Sequence, residues 1–387
     1  MAKPSSPPSP LRRRQLLAGA LAAVGMLAAS ALQAQGQASP GVLLENITRL
    51  YPVRVARIVA PQDAAQLSAA LASWPGQVCV GGGRFSMGGQ IGVEGGLHLD
   101  MRRMNALVWL RPEAMAVRVQ AGMCWRDLQD LLDPLDLSVH TMQSYANFTV
   151  GGSVSVNAHG RYVGHGPIAG SVRALQIMSP AGRLVEASRE HCRDWFAAAL
   201  GGYGGVGIVT EVELALERNC RIERSVAQVR RGDYPGFFRA RVQGNADCMM
   251  HNADLLPPLF DTATAVSWSR TDKLLTVPDR LVARGRRYAL EQTVMWALTE
   301  LPRGQKVYRD LVHPALFRKP AVVWRNYEAS LDVASLEPHD RALDTYQRHA
   351  TRAQFEAAYP QAQAFRRIKA RIDPGGRMMN ELWRQYL

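Results

Sequence analysis

Two glycine-rich segments, residues 80–90 and 149–160, constrain this chain more than any other feature of its sequence. Each follows an apolar or β-branched run and presents backbone N–H groups that few large side chains shield. Glycine tolerates positive φ and lets the backbone approach a ligand closely. Successive exposed N–H groups also form a concavity that binds anions. The two segments therefore predict a site that grips a diphosphate and the rings attached to it.

The pattern around the first segment predicts a β-α-β order. Val53–Val59 and Gln77–Val80 have the composition of strands, and between them Pro61 and Asp63 open a helix that runs to about Ser73. Further strands are predicted at 97–99, 106–110, 117–121, 172–177, 183–185 and 208–216, and further helices at 124–132 and 194–200.

A third glycine segment, residues 202–207, matches the pattern G-x-G-x-x-G. The dinucleotide-binding Rossmann fingerprint requires a strand, then the loop, then a helix. Here the predicted helix comes first and a β-branched strand, 208–212, follows. The order argues against a nicotinamide site at this position and leaves a helix-to-strand turn, a flavin contact, or both.

At these segments the chain resembles the FAD-binding oxidoreductases of the vanillyl-alcohol-oxidase / p-cresol methylhydroxylase superfamily, and most nearly their bacterial aldonolactone-oxidase type. The resemblance runs from about Tyr51 to Leu216 and returns at 372–383, which is similar to the closing motif of that family. It implies an α+β fold, with a two-subdomain FAD-binding domain of the PCMH type at 48–218. A cap domain at 219–345 and a C-terminal segment at 346–387 would complete the chain.

The predicted cap is short. In similar proteins the segment like Glu328–Pro338 is followed by more sheet and helix before a segment like Gln347–Thr351, whereas here Asp344–Tyr346 joins the two directly. The cap sheet would lose strands and gain an unpaired edge. Asp254–Pro258 is predicted to be a loop and Leu281–Leu298 to be helical.

The resemblance also implies which residues contact FAD. In many relatives a histidine precedes the serine of the first segment and bonds covalently to the flavin. Here Phe85 stands at that position and has no nucleophile, so FAD is expected to be held without a covalent bond. The residues that match the cofactor-binding motifs are Gly82, Gly83, Arg84, Phe85, Ser86, Gly88, Gly89, Gln90, Thr149, Gly151, Gly152, Ser155, Asn157, Gly160, Gly202, Gly205, Ile208, Val209 and Asn380.

Catalytic candidates lie close to these motifs. A histidine near the flavin can act as a base or anchor a substrate hydroxyl. His159 and Arg161 follow the second glycine segment directly, and the resemblance places His349 near the isoalloxazine. The alternative for His159 is a hydrogen bond to backbone in a crowded loop, and for Arg325, Asn326 and Glu328, which would face the pocket from the cap, it is a surface charge cluster.

The N-terminus has the features of an export signal. Arg13 and Arg14 precede an apolar run that continues to about Leu32, a twin-arginine pattern with a basic start, an apolar centre and small residues after it. Residues 1–38 are predicted to be cleaved, which implies a periplasmic or secreted protein with no stable membrane span. An uncleaved anchor is the alternative.

The bulk composition leaves three classes of function. The formal net charge is +13, which suits an anionic ligand as well as nucleic acid, yet no nucleic-acid-binding motif is present. The five cysteines have no metal-ligand spacing, so no metal is expected. The favoured hypothesis is an exported FAD enzyme that oxidises an alcohol of a sugar, aldonolactone or polyol, with oxygen or another acceptor. The others are a flavin-binding protein with an incomplete cap, and a basic envelope- or nucleic-acid-binding protein.

Overall fold

The computed structural model describes residues 41–47, 49, 51–255, 259–285, 298, 303–317, 321–331 and 350–387. The fold is that of one compact unit, Val42–Leu387. The predicted signal and His349 lie outside the described residues. Among the residues described, no helix combines the length and apolarity needed to cross a membrane.

The first glycine segment begins at the end of a strand in a small parallel sheet. Its strands are β3 (Arg57–Val59), β4 (Val78–Gly81) and β5 (Leu97–Asp100), with β5 in the middle. Helix α1 (Ala64–Ala72) connects β3 to β4, and the Asp63 carboxylate caps it by accepting from the Gln66 N–H. A two-stranded ribbon, β1 (Val42–Leu44) with β2 (Val53–Val55), precedes this sheet. The predicted strand Val53–Val59 is thus two short strands interrupted at Ala56.

The second sheet is antiparallel and carries the main core. Its order is β10-β9-β11-β7-β6, and β8 also pairs with β11. Its strands are β6 (Leu107–Arg111), β7 (Ala116–Gln120), β8 (Leu137–Val139), β9 (Val172–Met178), β10 (Leu184–Ser188) and β11 (Ile208–Arg218). Buried and partly exposed residues alternate along β11, the period-2 pattern of a strand with one face in the core. Three helices lie between these strands: α2 (Trp125–Leu132), α3 (Val150–Ser155) and α4 (Arg193–Ala199).

A third sheet, here called the cap sheet, follows in the order β13-β14-β12-β15. Its strands are β12 (Arg221–Arg230), β13 (Cys248–Leu255), β14 (Thr262–Arg270) and β15 (Val322–Trp324). The helices of this region are α5 (Tyr234–Phe238), α6 (Gly304–Val307), α7 (His313–Phe317) and α8 (Arg325–Ala329). Single-turn 3-10 or π segments complete the chain at Met101–Arg103, Pro112–Ala114, Asp133–Leu135, Ile168–Gly170, Arg239–Gln243 and Tyr308–Val312.

Two predictions for this region need correction. Asp254 and Leu255 belong to strand β13, because both pair with β14, so the predicted loop at 254–258 is not a loop at its start. Residues 281–285 are not helical. Val282 donates its N–H to the Ser330 hydroxyl at 2.8 Å, a bond that anchors this stretch to the end of α8. The rest of the predicted helix, 286–297, lies outside the described residues.

The C-terminal segment returns to the first sheet. After α9 (Arg352–Ala358) and α10 (Ala362–Ile372), Met378 forms a parallel bridge with Val78. The Val78 N–H donates to the Arg377 carbonyl at 2.8 Å, and the Met379 N–H donates to the Val78 carbonyl at 3.0 Å. The chain ends in α11 (Glu381–Tyr386). This return brings residues 377–383 behind the glycine segments.

Candidate cofactor cleft

A cleft with about 540 Å³ of empty space lies where the glycine segments meet. Its wall contains eight of the residues predicted to bind the cofactor: Gly82, Ser86, Gln90, Thr149, Gly151, Gly152, Ser155 and Val209. Backbone and small side chains dominate this wall, so its shape suits a ligand that approaches the main chain closely.

The first two glycine segments touch each other. A Cβ atom added at Gly82 would lie 2.1 Å from the Thr149 Oγ1, so only glycine allows this approach. Thr149 caps α3 by accepting from the Gly152 N–H at 3.3 Å. A Cβ added at Gly152 would meet only that same hydroxyl, at 2.8 Å. The rest of the space around this position belongs to the cleft, which is the kind of cradle that a bound cofactor fills.

The third glycine segment closes the cleft from another side. It joins α4 to β11, which is the reverse of the Rossmann order. The Tyr203 N–H donates to the Ser155 carbonyl at 2.9 Å, so the third segment is tied to the second. Tyr203 has φ +48, a left-handed conformation that costs a non-glycine residue about 1 kcal/mol. Arg84 and Asn157 also have positive φ, so each of the three segments contains a non-glycine residue in this conformation.

Several predicted cofactor-binding residues lie beside the cleft and not in its wall. The Arg84 side chain donates to Asp100 at 3.0 Å, and the Phe85 ring packs against Phe148 with centroids 4.5 Å apart. Asn157 accepts from the Ala169 N–H. The others outside the wall are Gly83, Gly88, Gly89, Gly160, Gly202, Gly205, Ile208 and Asn380.

Sequence reasoning missed part of the wall. Val80, Gly81, Ile91, Met101, Ala121, Val156 and Tyr203 also line the cleft. Tyr203 lies within the third glycine motif, and Val80 and Gly81 lie at the first, so position within a motif was an available signal. Ala121 is different, because a Cβ on Gly151 would lie 2.5 Å from the Ala121 Cβ. No local pattern indicates that contact between helix α3 and the residue that follows β7.

The catalytic candidates have different surroundings. His159 is exposed, and within the described part of the chain it has no hydrogen-bond or ion-pair partner. Arg161 donates from Nη1 to the Glu328 Oε1 at 2.8 Å, and both side chains are mostly buried. Burial raises the pKa of Glu328, while the charges of Arg161 and Arg224 act in the opposite direction. His349 lies outside the described residues.

Arg161 also begins a backbone junction between the FAD-binding region and the cap sheet. The His251 N–H donates to the Arg161 carbonyl at 2.8 Å, and the Val163 N–H donates to the Met249 carbonyl at 3.0 Å. An antiparallel bridge between Tyr162 and Met250 lies between them. Residues 161–163 therefore extend the cap sheet along the outer side of β13.

One group of possible metal ligands occurs among the described residues: His140, His165 and Glu217, with ligand atoms within 4.8 Å of one another. The guanidinium of Arg325 lies 2.5 Å from the Glu217 carboxylate and already supplies the compensating positive charge. Burial lowers the pKa of His165, which favours the neutral imidazole. The cluster is an Arg–Glu ion pair flanked by the two imidazole rings, and it does not need a metal ion for charge balance.

A second pocket, open to solvent and with about 1530 Å³ of empty space, lies on the C-terminal side of the third glycine segment. Its described wall is largely apolar and carries no charged side chain, with Phe355, Tyr359, Phe365, Trp383 and Tyr386 among its members. This chemistry does not suit a diphosphate. The cleft lined by the glycine segments is the better candidate for the cofactor.

Comparisons with known proteins identify the class of cofactor. Residues 55–188, about a third of the chain, match the family model described as an FAD binding domain. Mouse L-gulonolactone oxidase is 31% identical over 135 residues, which are 35% of this chain and 30% of that protein. A rice mitochondrial L-galactono-1,4-lactone dehydrogenase is 33% identical over 128 residues, 33% of this chain and 22% of that protein.

A third relative is Arabidopsis cytokinin dehydrogenase 2, which is 29% identical over 178 residues, 44% of this chain and 35% of that protein. The chain matches about a third or less of the length of these relatives. The matched segment contains the first two glycine segments, and the comparisons identify FAD as the cofactor of this domain.

Proposed function

We propose that this chain, whose residues 55–188 form an FAD-binding domain similar to those of aldonolactone oxidases and cytokinin dehydrogenases, is an FAD-dependent oxidoreductase that oxidises an alcohol group. The substrate class is a sugar, aldonolactone or polyol, and oxygen or another acceptor takes the electrons. The observation that carries the proposal is the glycine-walled cleft at the meeting point of three segments.

The residues around the cleft would have separate roles in such an enzyme. Bound FAD supplies the acceptor for the hydride, and the protein supplies binding, orientation and electrostatics. The backbone around Gly82 and Gly152 would hold the diphosphate. His159, exposed and without a partner in the described structure, is available to take the proton from a substrate hydroxyl.

Arg161 and Glu328 would form the charged part of the substrate side. Their ion pair joins the residue after the second glycine segment to a cap helix. The raised pKa of Glu328 makes its carboxyl group a second candidate to hold a proton. Polar groups of this kind fix the pose of a small ligand in a pocket.

The test is a visible spectrum of the purified protein followed by anaerobic mixing with aldonolactones, sugars and polyols. We expect a flavin spectrum that is bleached by at least one of these substrates. A yellow protein that no member of the panel reduces would support the alternative, a flavin-binding protein with an incomplete cap. A colourless protein that cannot be reconstituted with FAD would contradict both.

The short pairing between β12 and β15 favours keeping the alternative of an incomplete cap in the test. On the side of β12 that faces β15, register pairs exist only at Arg221–Glu223 among the described residues. The described part of β15 is three residues long, whereas β12 is ten. A shortened cap would enclose the substrate less well, and turnover would then fall more than flavin affinity.

We also propose that FAD is held without a covalent bond, because Phe85 has no nucleophilic atom. Acid precipitation should release all yellow colour to the supernatant. Flavin that stays in the washed pellet would contradict this proposal.

Export by the twin-arginine route is the remaining part of the proposed function. Replacing both Arg13 and Arg14 by Lys keeps the charge of the segment and should abolish export through that route. The measurement is the amount of protein in the periplasm, with the unaltered chain as control. An unchanged yield would contradict twin-arginine export.

A further inference from the structure

Three carbonyl groups of the third glycine segment accept hydrogen bonds from the C-terminal part of the chain. The Trp383 Nε1 donates to the Gly202 carbonyl at 2.9 Å, and the Asn380 Nδ2 donates to the Tyr203 carbonyl at 2.9 Å. The Lys369 Nζ donates to the Gly205 carbonyl at 2.7 Å. These three donors, which we call the carbonyl clamp, reach a stretch of four residues.

The clamp lies behind the segment and outside the cleft. Tyr203 lines the cofactor cleft, whereas none of the three donors does. The Tyr203 N–H donates to the Ser155 carbonyl of the second segment, while the Tyr203 carbonyl accepts from Asn380. The peptide groups at Gly202, Tyr203 and Gly205 are thus held with their oxygens toward the C-terminal segment and away from the cleft.

The donors are themselves fixed by their surroundings. Lys369 is buried and also donates to the Met378 carbonyl at 2.7 Å and to the Asp373 carboxylate at 2.8 Å. Asn380 is 1% exposed, and its Oδ1 caps α11 by accepting from the Trp383 N–H at 2.8 Å. The Trp383 ring stacks on Phe365 with centroids 4.9 Å apart. No donor can turn away without breaking a second contact.

We infer that Lys369, Asn380 and Trp383 are positioning residues for the diphosphate of FAD. A carbonyl oxygen that turned toward this dianion would repel it, whereas an N–H group would bind it. Because the clamp already holds the three carbonyl oxygens outside the cleft, the third glycine segment does not have to reorganise when FAD binds. The inference rests on FAD being held in this cleft and does not require that the protein oxidise alcohols.

This inference gives Asn380 a different role from the one its motif suggests. Sequence similarity indicates a residue in contact with the flavin, but both functional atoms of its side chain bond to protein groups. Its effect on the cofactor would be transmitted through the Tyr203 peptide. The effect should therefore appear in FAD affinity even when the fold is intact.

The test uses Asn380→Ser in the full-length apoprotein. Serine is as good an N-cap as asparagine, so α11 keeps its cap while the Tyr203 carbonyl loses its donor. We expect the dissociation constant of FAD, measured by fluorescence titration, to rise about tenfold. The melting temperature of the apoprotein should stay within a few degrees of the parent value.

Two further variants complete the design. Trp383→Phe removes the side-chain donor to the Gly202 carbonyl, which then keeps only the Gly205 N–H. The variant retains an aromatic ring beside Phe365, so it should weaken FAD binding in the same way but less than Asn380→Ser. Asp63→Ser changes the N-cap of α1, where the carboxylate bonds only to Gln66 among the described contacts. This control should leave the affinity for FAD unchanged.

The outcomes separate the inference from the proposed function. Weaker FAD binding with an unchanged melting temperature supports the clamp. Unchanged FAD binding in both clamp variants, or a melting temperature that falls together with affinity, overturns it. Failure of the unaltered apoprotein to bind FAD would instead contradict the proposed function.

Discussion

The FAD-binding region and the cap sheet are built on different principles. In the first, the glycine segments pack so closely that an added Cβ would lie 2.1 Å from the Thr149 Oγ1 at Gly82 and 1.9 Å from the Ala198 carbonyl oxygen at Gly202. In the second, long strands pair over eight or nine residues, and charged side chains such as Arg161 and Glu328 join the parts. The cofactor side is therefore shaped mainly by the main chain, whereas the junction with the cap sheet depends on side chains.

The largest expected effect tests whether the main chain defines the cofactor side. Gly152→Val places a branched side chain against the Thr149 hydroxyl and into the cleft, so the purified protein should contain no flavin. Gly232→Val is the matched control, because a Cβ there meets nothing within 4 Å. Flavin content is measured from the visible absorbance. Equal flavin in both variants would mean that the cofactor does not lie against Gly152.

A smaller effect is expected at the boundary between the two regions. His159→Asn removes the candidate base, so the rate of flavin reduction by substrate should fall about 10²-fold with FAD binding unchanged. The control is His191→Asn at another exposed histidine. The rate is followed by anaerobic rapid mixing. If His159→Asn reacts as fast as the control, the proton acceptor is another group.

The ion pair between the regions should contribute to stability. Arg161→Met leaves Glu328 without its partner, and the free energy of unfolding should fall by roughly 2 kcal/mol. Arg371→Met removes the exposed pair with Asp194 and should cost well under 1 kcal/mol. Urea unfolding of both variants gives the comparison. Similar losses would show that the Arg161 pair is no more than a surface contact.

The acid stability of the first sheet gives an effect that is absent at neutral pH and appears only in mild acid. Burial, together with the charge of Arg84, lowers the pKa of His98 to about 4. The folded state therefore binds fewer protons than the unfolded state between pH 6.5 and about 4. The contribution of His98 to the free energy of unfolding is fully present above pH 6.5. It decreases as the pH falls through that window, by about 3 kcal/mol at most.

The measurement is the NMR titration of the His98 imidazole. A midpoint near 6.5 for this ring would contradict the expected shift. Such a result would also remove the reason for a loss of stability in mild acid.

The sequence predicts the cofactor side better than the cap. The spacing of glycines reflects the local conformation of the backbone. The β-α-β order, the reversed G-x-G-x-x-G segment and eight residues of the cleft wall could therefore be inferred from the sequence. The carbonyl clamp could not, because it joins Lys369 to Gly205 across 164 positions. The hydrogen bond from the Val282 N–H to the Ser330 hydroxyl is likewise a tertiary contact. Residues 281–285 are predicted to begin a helix because no local pattern reveals this contact.

The pairing of residues 161–163 with β13 also determines where the chain can be divided. A cut near residue 218 follows the boundary suggested by composition, but it would separate β13 from the strand segment that covers its outer side. The released fragment would carry a bare edge of eight residues, and bare edges are templates for intermolecular pairing. A truncated cap intended for separate expression should therefore include the loop that contains Arg161, or it should be expected to aggregate.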